Sequence, residues 1–239
     1  MSMQSQGAEA VLARARWTYA AWQFAVIGAV LAATWFGPGW GSIWGAAVAL
    51  AIGRIEPRRW HVPLGLLKRT DWRRVALVGL LGGLAQLLAV KILLTPAVEA
   101  LTGQHRDLGM FDALRGNVGA LLGLLPTMWL SAGFCEEIVF RGIALGRLRA
   151  ALGGTRLATA IAFVGSGIVF GLAHGYQGLS GWIITGVMGS VLALVYIGSG
   201  YRLWYGIALH LLYDTLATAA ITFNLDRVFA AWGARLFHG

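Results

Sequence analysis

Seven stretches of this 239-residue chain stay apolar for close to the length a helix needs to cross a bilayer, about 20 residues at 1.5 Å each. They run roughly from Thr18 to Phe36, Trp40 to Ile52, Val75 to Thr95, Leu121 to Leu148, Leu157 to Ala173, Trp182 to Ile197 and Leu203 to Phe223, the second being the shortest. Hydrocarbon offers the backbone no water to bond, so only helices or a closed barrel can span it. These runs lack the ten-residue alternation of barrel strands. The expected fold is therefore all-α, a polytopic integral-membrane bundle of about six or seven transmembrane helices with no strands. With 58% hydrophobic and only 12% charged residues, the chain lies outside the balance of a soluble domain.

The net charge of +9 would point to nucleic acid in a soluble protein. Here the basic residues fall between apolar runs, where they set topology and meet anionic headgroups, so membrane lipids replace nucleic acid as the expected partner. Arg54, Arg58, Arg59, Lys68, Arg69, Arg73 and Arg74 crowd the second connection. The Pro96 to Asn117 connection has only Arg106 and Arg115, offset by Glu99, Asp107 and Asp112. The positive-inside rule places the 54–74 loop in the cytoplasm, and alternate counting puts the N-terminus, Arg147, Arg149, Arg156 and Arg202 on the same side. Arg14 and Arg16 precede an apolar run too long for a signal peptide, which reads as an uncleaved first helix. The single cysteine, Cys135, excludes an intramolecular disulfide and reads as an inert buried thiol.

Leu225, Val228, Phe229, Trp232 and Leu236 recur at spacings of three and four, which suits an interfacial helix at the C-terminus. Glycines at four-residue intervals, Gly79/Gly83 and Gly167/Gly171/Gly175, allow helix backbones to approach closely, with Gly171 admitting a neighbour near His174. Gly153-Gly154 marks a break between helices. No repeat or linker is visible. The chain reads as one membrane domain, 1–239, with N-terminal helices and a basic loop in 1–117 and a chemical core in 118–222.

That core carries ionisable residues where they are expensive. Glu136 and Glu137, His174, and His210 with Asp214 all fall inside apolar runs, and such groups persist at membrane depth when they face a bundle interior or a wet cavity. On a helix Glu137 and Arg141 stand four apart and pair along one face, while Glu136 points about 100° away. Glu137 is thus expected to be neutralised and to hold the helix in place. Glu136 is left to face a cavity as a general base. Counting outward from the Gly153-Gly154 turn puts Glu136 and His174 at similar heights on antiparallel helices, and His210 can join them. His210 and Asp214, four apart, suit a base with its orienting carboxylate, a pair of polar donors or metal ligation. A purely structural staple is the alternative for each group taken alone.

The pattern Glu-Glu-x-x-x-Arg, then Phe-x-x-x-His, then His-x-x-x-Asn/Asp resembles the CPBP family of intramembrane proteases, which includes the type II CAAX prenyl proteases and bacteriocin-processing proteins. Glu136, Glu137, Arg141, Phe170, His174, His210 and Asp214 match in family order. The resemblance implies hydrolysis of a peptide bond in a membrane-proximal or lipidated substrate. Glu136 and His174 would activate water, and His210 with residue 214 would stabilise the tetrahedral intermediate. Asp stands at 214 where many members have Asn, and an ionised Asp cannot donate to an oxyanion. The resemblance also allows a divalent metal such as zinc on Glu136, His174 and His210, or metal-free chemistry by the same residues.

A proton- or cation-coupled transporter would also use buried Glu, His and Asp, but the inverted repeats of such folds are absent from the sequence. A non-catalytic scaffold or immunity protein is the third reading. Lys91 and Gln86 either line the cavity or, for Lys91, snorkel to the membrane surface. His61, His105 and His238 read as surface residues, and Trp17, Trp40, Trp60, Trp72, Trp182 and Trp204 as interfacial belts.

Overall fold

A computed structural model describes residues 3–37, 40–56 and 65–237. Arg58, Arg59, Trp60, His61 and His238 lie outside the described residues. The described chain is helical throughout its regular structure, with no strand. Helix α1 spans Met3–Phe36, α2 Gly41–Ile55, α3 Trp72–Thr102, α4 Val118–Ala151, α5 Arg156–Ala173, α6 Gly178–Gly198, α7 Leu203–Thr222 and α8 Leu225–Phe237. Five of these, α1 and α3 to α6, are long and apolar enough by themselves to cross a membrane. Helix α7 meets that test only together with α8, from which it is bent by 96°, and α2 is shorter.

The bundle is organised around α4. Its buried stretch Cys135, Ile138, Val139, Phe140, Ile143 and Leu145 meets Val26 and Val30 of α1, Ala46 and Ala49 of α2, Phe170 of α5, Ala193 and Tyr196 of α6 and Leu203 of α7. Lipid tails are as apolar as these side chains, so close packing rather than exclusion of water holds them together. Small residues serve that packing. A β-carbon on Gly171 would stand 2.5 Å from the Trp182 ring, so its absence lets α6 cross α5 within a turn of His174. Gly79 and Gly83 of α3 face Ala208 and Leu212 of α7 in the same manner.

Helix α4 is not wound uniformly. Pro126 removes a backbone donor and crowds the preceding turn, and from Trp129 to Leu145 the helix runs in wider, π-type turns. The 100° step assumed from the sequence is therefore reduced here. The consequence for the site is small for Glu137 and Arg141, which still meet.

Basic residues gather at one end. Lys68 Nζ donates to the Gly200 carbonyl at 2.7 Å, Arg202 Nε to that of Arg69 at 3.0 Å, and Arg147 Nη2 pairs with Glu56 at 2.7 Å. The opposite end is built differently. There the α3–α4 connection folds back on the α5–α6 turn, with Asp107 N–H donating to the Gln177 carbonyl at 3.0 Å and the Ser180 hydroxyl to that of Gln104 at 2.7 Å.

Helix α8 is tied to this second end. Arg115 donates through Nη1 and Nη2 to Asp226 at 3.2 and 2.8 Å, and Gly233 packs against Pro96 of α3. Leu225, Val228, Trp232 and Leu236 stay exposed, and Phe229 turns inward. This is the pattern of a helix lying in the interface. Burial alone would raise the Asp226 carboxyl, but the Arg115 hydrogen bonds outweigh it and hold the group below its ordinary value. The ionised form is the bound one, so the contact is intact above the usual carboxylate range and is lost as pH falls through the lowered value. Replacing Arg115 by Gln should raise hydrogen exchange across residues 225–237 while lowering bundle stability by roughly 1 kcal/mol or less, since the pair is partly exposed.

Candidate active site

Glu137 and Arg141 are both fully buried in the centre of the bundle, the most demanding placement in the molecule for charge. Arg141 Nη1 lies 2.9 Å from Glu137 Oε1, as the four-residue spacing requires, although the angle is that of an ion pair rather than a hydrogen bond. The guanidinium is further fixed by Nη2 donating to the Gly189 carbonyl at 2.9 Å and by the Phe170 ring, whose centre is 4.4 Å away. Gly206 of α7 makes room for the carboxylate, because a β-carbon there would sit 2.7 Å from Glu137 Oε2.

The carboxylate also reaches α7. His210 Nδ1 is 3.0 Å from Glu137 Oε1, and since a carboxylate accepts, Nδ1 carries the hydrogen. Its other nitrogen, Nε2, lies 3.5 Å from Asp214 Oδ2. Sequence spacing offered Asp214 as an orienting carboxylate for His210, as one of a pair of polar donors, or as a metal ligand. The shorter contact instead goes to Glu137, a cross-helix partner that no i,i+4 rule can find. A helix-register argument explains how the two meet. The Arg149 guanidinium lies over the Tyr201 ring at 5.0 Å, which levels the basic ends of α4 and α7, and a similar climb from there reaches Glu137 and His210.

His174 caps the end of α5. Its Nδ1 donates to the Phe170 carbonyl at 2.9 Å, leaving Nε2 with a lone pair. Phe170 touches nearly everything here. Its ring centre is 4.8 Å from that of His174, 6.1 Å from that of His210 and 5.0 Å, edge-on, from that of Phe140. A phenyl group at this point fixes two imidazoles and a guanidinium at once.

Glu136, His174, His210, Asp214 and Phe170 all line one cavity of about 390 Å³. Glu137 and Arg141 do not; they stand behind it. Glu136 Oε2 is buried with no hydrogen-bond partner among the described residues, and Glu137 Oε2 is likewise; the two differ in that Glu137 Oε1 is engaged by Arg141 and His210, whereas Glu136 enters no ion pair among the described residues. The cavity wall also includes Ser131, Tyr176, Gln177 and Tyr213, together with two cations, Lys91 and Arg106. Neither cation forms an ion pair among the described residues, and Arg106 Nε donates to Gln177 Oε1 at 2.7 Å. Snorkelling was the favoured expectation for Lys91, which instead lines the cavity. Arg106 and Gln177 had no helical pattern to reveal them, lying in connections that only the folded chain brings over the site.

Gln86 does not line this cavity and sits in the wall of a separate groove. His105 pairs with Glu99 on the exposed surface at 2.9 Å, as its polar context implies. The lining residues from connections, Trp40, Arg106, Leu108, His174 and Gln177 among them, all come from the end opposite the basic one.

The metal reading fits poorly. Among the described residues no group of three or more His, Cys, Asp or Glu side chains is arranged to hold an ion. Both ring nitrogens of His210 face carboxylates rather than a point shared with Glu136 and His174.

A family model described as Rce1-like, type II CAAX prenyl endopeptidase, matches residues 118–216. No curated protein and no solved structure matches the chain. The matched segment holds all seven residues of the motif set, whereas Lys91 and Arg106 lie outside it. Removing one member of the buried Glu137–Arg141 pair strands the other charge, at a cost of about 3 to 5 kcal/mol. Arg141→Leu should therefore lower the folded yield and unfolding midpoint in detergent sharply, while Glu136→Gln, which strands nothing, should leave both near wild type.

Proposed function

We infer the reaction from one premise: residues 118–216 form a domain of the Rce1-like, type II CAAX prenyl endopeptidase family. The protein is an integral-membrane protease at the level of that family. Our reading is that it hydrolyses a peptide bond in a membrane-proximal or lipidated substrate, with Glu136 as the general base. The observation that supports this is the contrast between the adjacent glutamates: Glu137 Oε1 is held by Arg141 and His210, and Glu136 lines the cavity with no ion pair among the described residues.

Water is a poor nucleophile at neutral pH and needs a base beside it. Glu136 takes a proton from a water held against His174 Nε2, and the hydroxide oxygen bonds to the scissile carbonyl carbon. The oxyanion that forms is met by the Nε2–H of a protonated His210, whose Nδ1–H is held by Glu137 and whose charge Asp214 balances from 3.5 Å. Arg106 and Lys91 add positive charge in the same cavity. Glu136 next returns its proton to the departing amine as the carbon–nitrogen bond breaks, restoring the carboxylate.

The basic end is taken as cytoplasmic by the positive-inside rule. Among the described residues no basic-end connection contributes to the cavity lining, which supports substrate entry laterally or from the opposite compartment.

Purified protein in detergent should cleave a lipidated or strongly apolar peptide. Glu136→Gln and His174→Ala should each lower kcat/KM by about 10²- to 10⁴-fold with unchanged unfolding midpoints. Unimpaired cleavage by both variants would sink the assignment, and proton-coupled uptake into liposomes without any cleavage would decide for a transporter. Asp214→Asn should stay within about tenfold of wild type, since an amide can itself donate to the oxyanion, and Asp214→Leu should fall by about 10²-fold or more.

A further inference from the structure

On the far side of α3 from the catalytic cavity, two depressions share a wall. The first lies at the basic end and holds about 910 Å³ between the start of α3 and the α6–α7 connection. Arg69, Arg74 and Arg202 line it, with Leu77, Val78 and Val195 at its floor. Those three apolar residues also open the second, a groove of about 870 Å³ that follows α3 as far as Ala97. Apart from Gln86 every residue of the groove is apolar or glycine.

The shape follows from how the helices cross. α3 and α6 pack together near Thr95–Thr102, where the Thr102 and Ser180 hydroxyls are 2.6 Å apart, and separate toward the basic end. α7 fills behind them and supplies Leu209 as the back wall. A wedge is left open to the membrane. From Leu77 to Ala97 it is about 30 Å long, more than one leaflet's depth of hydrocarbon.

The mouth carries charge that the protein does not neutralise. Asp71 Oδ1 accepts from the backbone N–H groups of Arg73 and Arg74, and its Oδ2 lies 3.3 Å from Arg74. Arg202 is held only by neutral carbonyls, those of Arg69 and Ser199, and neither Arg69 nor Arg202 forms an ion pair among the described residues. An anion at headgroup level, attached to a chain that descends into hydrocarbon, complements both parts at once.

We propose that this composite site binds one anionic phospholipid, with the phosphate at Arg69, Arg74 and Arg202 and an acyl chain along the groove between α3 and α6. The site is independent of the protease reading, and its test needs no cleavage. Full-length protein in a mild detergent is titrated with phosphatidylglycerol and with phosphatidylcholine of identical chains, and bound lipid is counted by native mass spectrometry. Phosphatidylglycerol should bind about tenfold tighter, given roughly an order of magnitude from two unbalanced cations near a headgroup. The Arg69→Gln/Arg74→Gln variant, altered only at exposed positions, should lose that preference. Ala85→Trp, which fills the groove, should weaken binding of both lipids. Equal retention of the two lipids by wild type, the behaviour of ordinary annular lipid, overturns the proposal. So does displacement of phosphatidylglycerol by inorganic phosphate alone, which would mark an anion site with no chain, or a preference that survives both variants.

Discussion

A full ion pair at membrane depth is the constraint from which the rest of the structure follows. Glu137 and Arg141 could not be placed there singly, and once placed together they dictate their surroundings. α6 must bring the Gly189 carbonyl to Arg141, α7 must thin to glycine at Gly206, and α5 must lay Phe170 across the guanidinium. Three helices are thereby registered against α4 by polar contacts, in a solvent where apolar packing discriminates poorly between registers. His210 and His174 inherit their positions from this. One bonds Glu137 directly, and the other stacks on Phe170.

The span pattern was legible because hydrophobic length is dictated by the bilayer, and the boundaries of α3 to α7 follow the apolar runs closely. The motif residues were legible as outliers, since Glu136, His174, His210 and Asp214 interrupt those runs. Pairings within one helix were readable as well, as with Glu137 and Arg141. What the sequence concealed was contact between helices. His210 has carboxylates on both nitrogens, one four residues away and visible, the other on α4 and invisible. Arg106 and Gln177 sit in irregular connections with no periodicity, and which face of α3 turns Lys91 to the cavity is set by packing between helices. The wider turns of α4 have no sequence signal beyond Pro126.

The adjacent glutamates show how two identical side chains acquire different chemistry from direction alone. One step along α4 separates a carboxylate whose charge is met on two sides from one that lines a cavity without an ion pair among the described residues. A base must be able to take up and return a proton without dismantling its neighbours. Glu136 meets that requirement because no ion pair depends on it, and Glu137 fails it because Arg141 and His210 both do.

The same reasoning bears on aspartate at 214. With asparagine there, His210 Nε2 would face a neutral amide, and the amide N–H would be the natural donor to an oxyanion. With aspartate, that donor is gone, but an acceptor for the Nε2 proton is gained at 3.5 Å. In the proposed reaction the donor role passes from residue 214 to the imidazole itself, whose Nδ1 is held by Glu137 and whose cavity also holds Arg106 and Lys91. Lys91 and Arg106 form no ion pair among the described residues, and they share the cavity with Glu136 and Asp214. In the proposed reaction they add positive charge where the oxyanion forms.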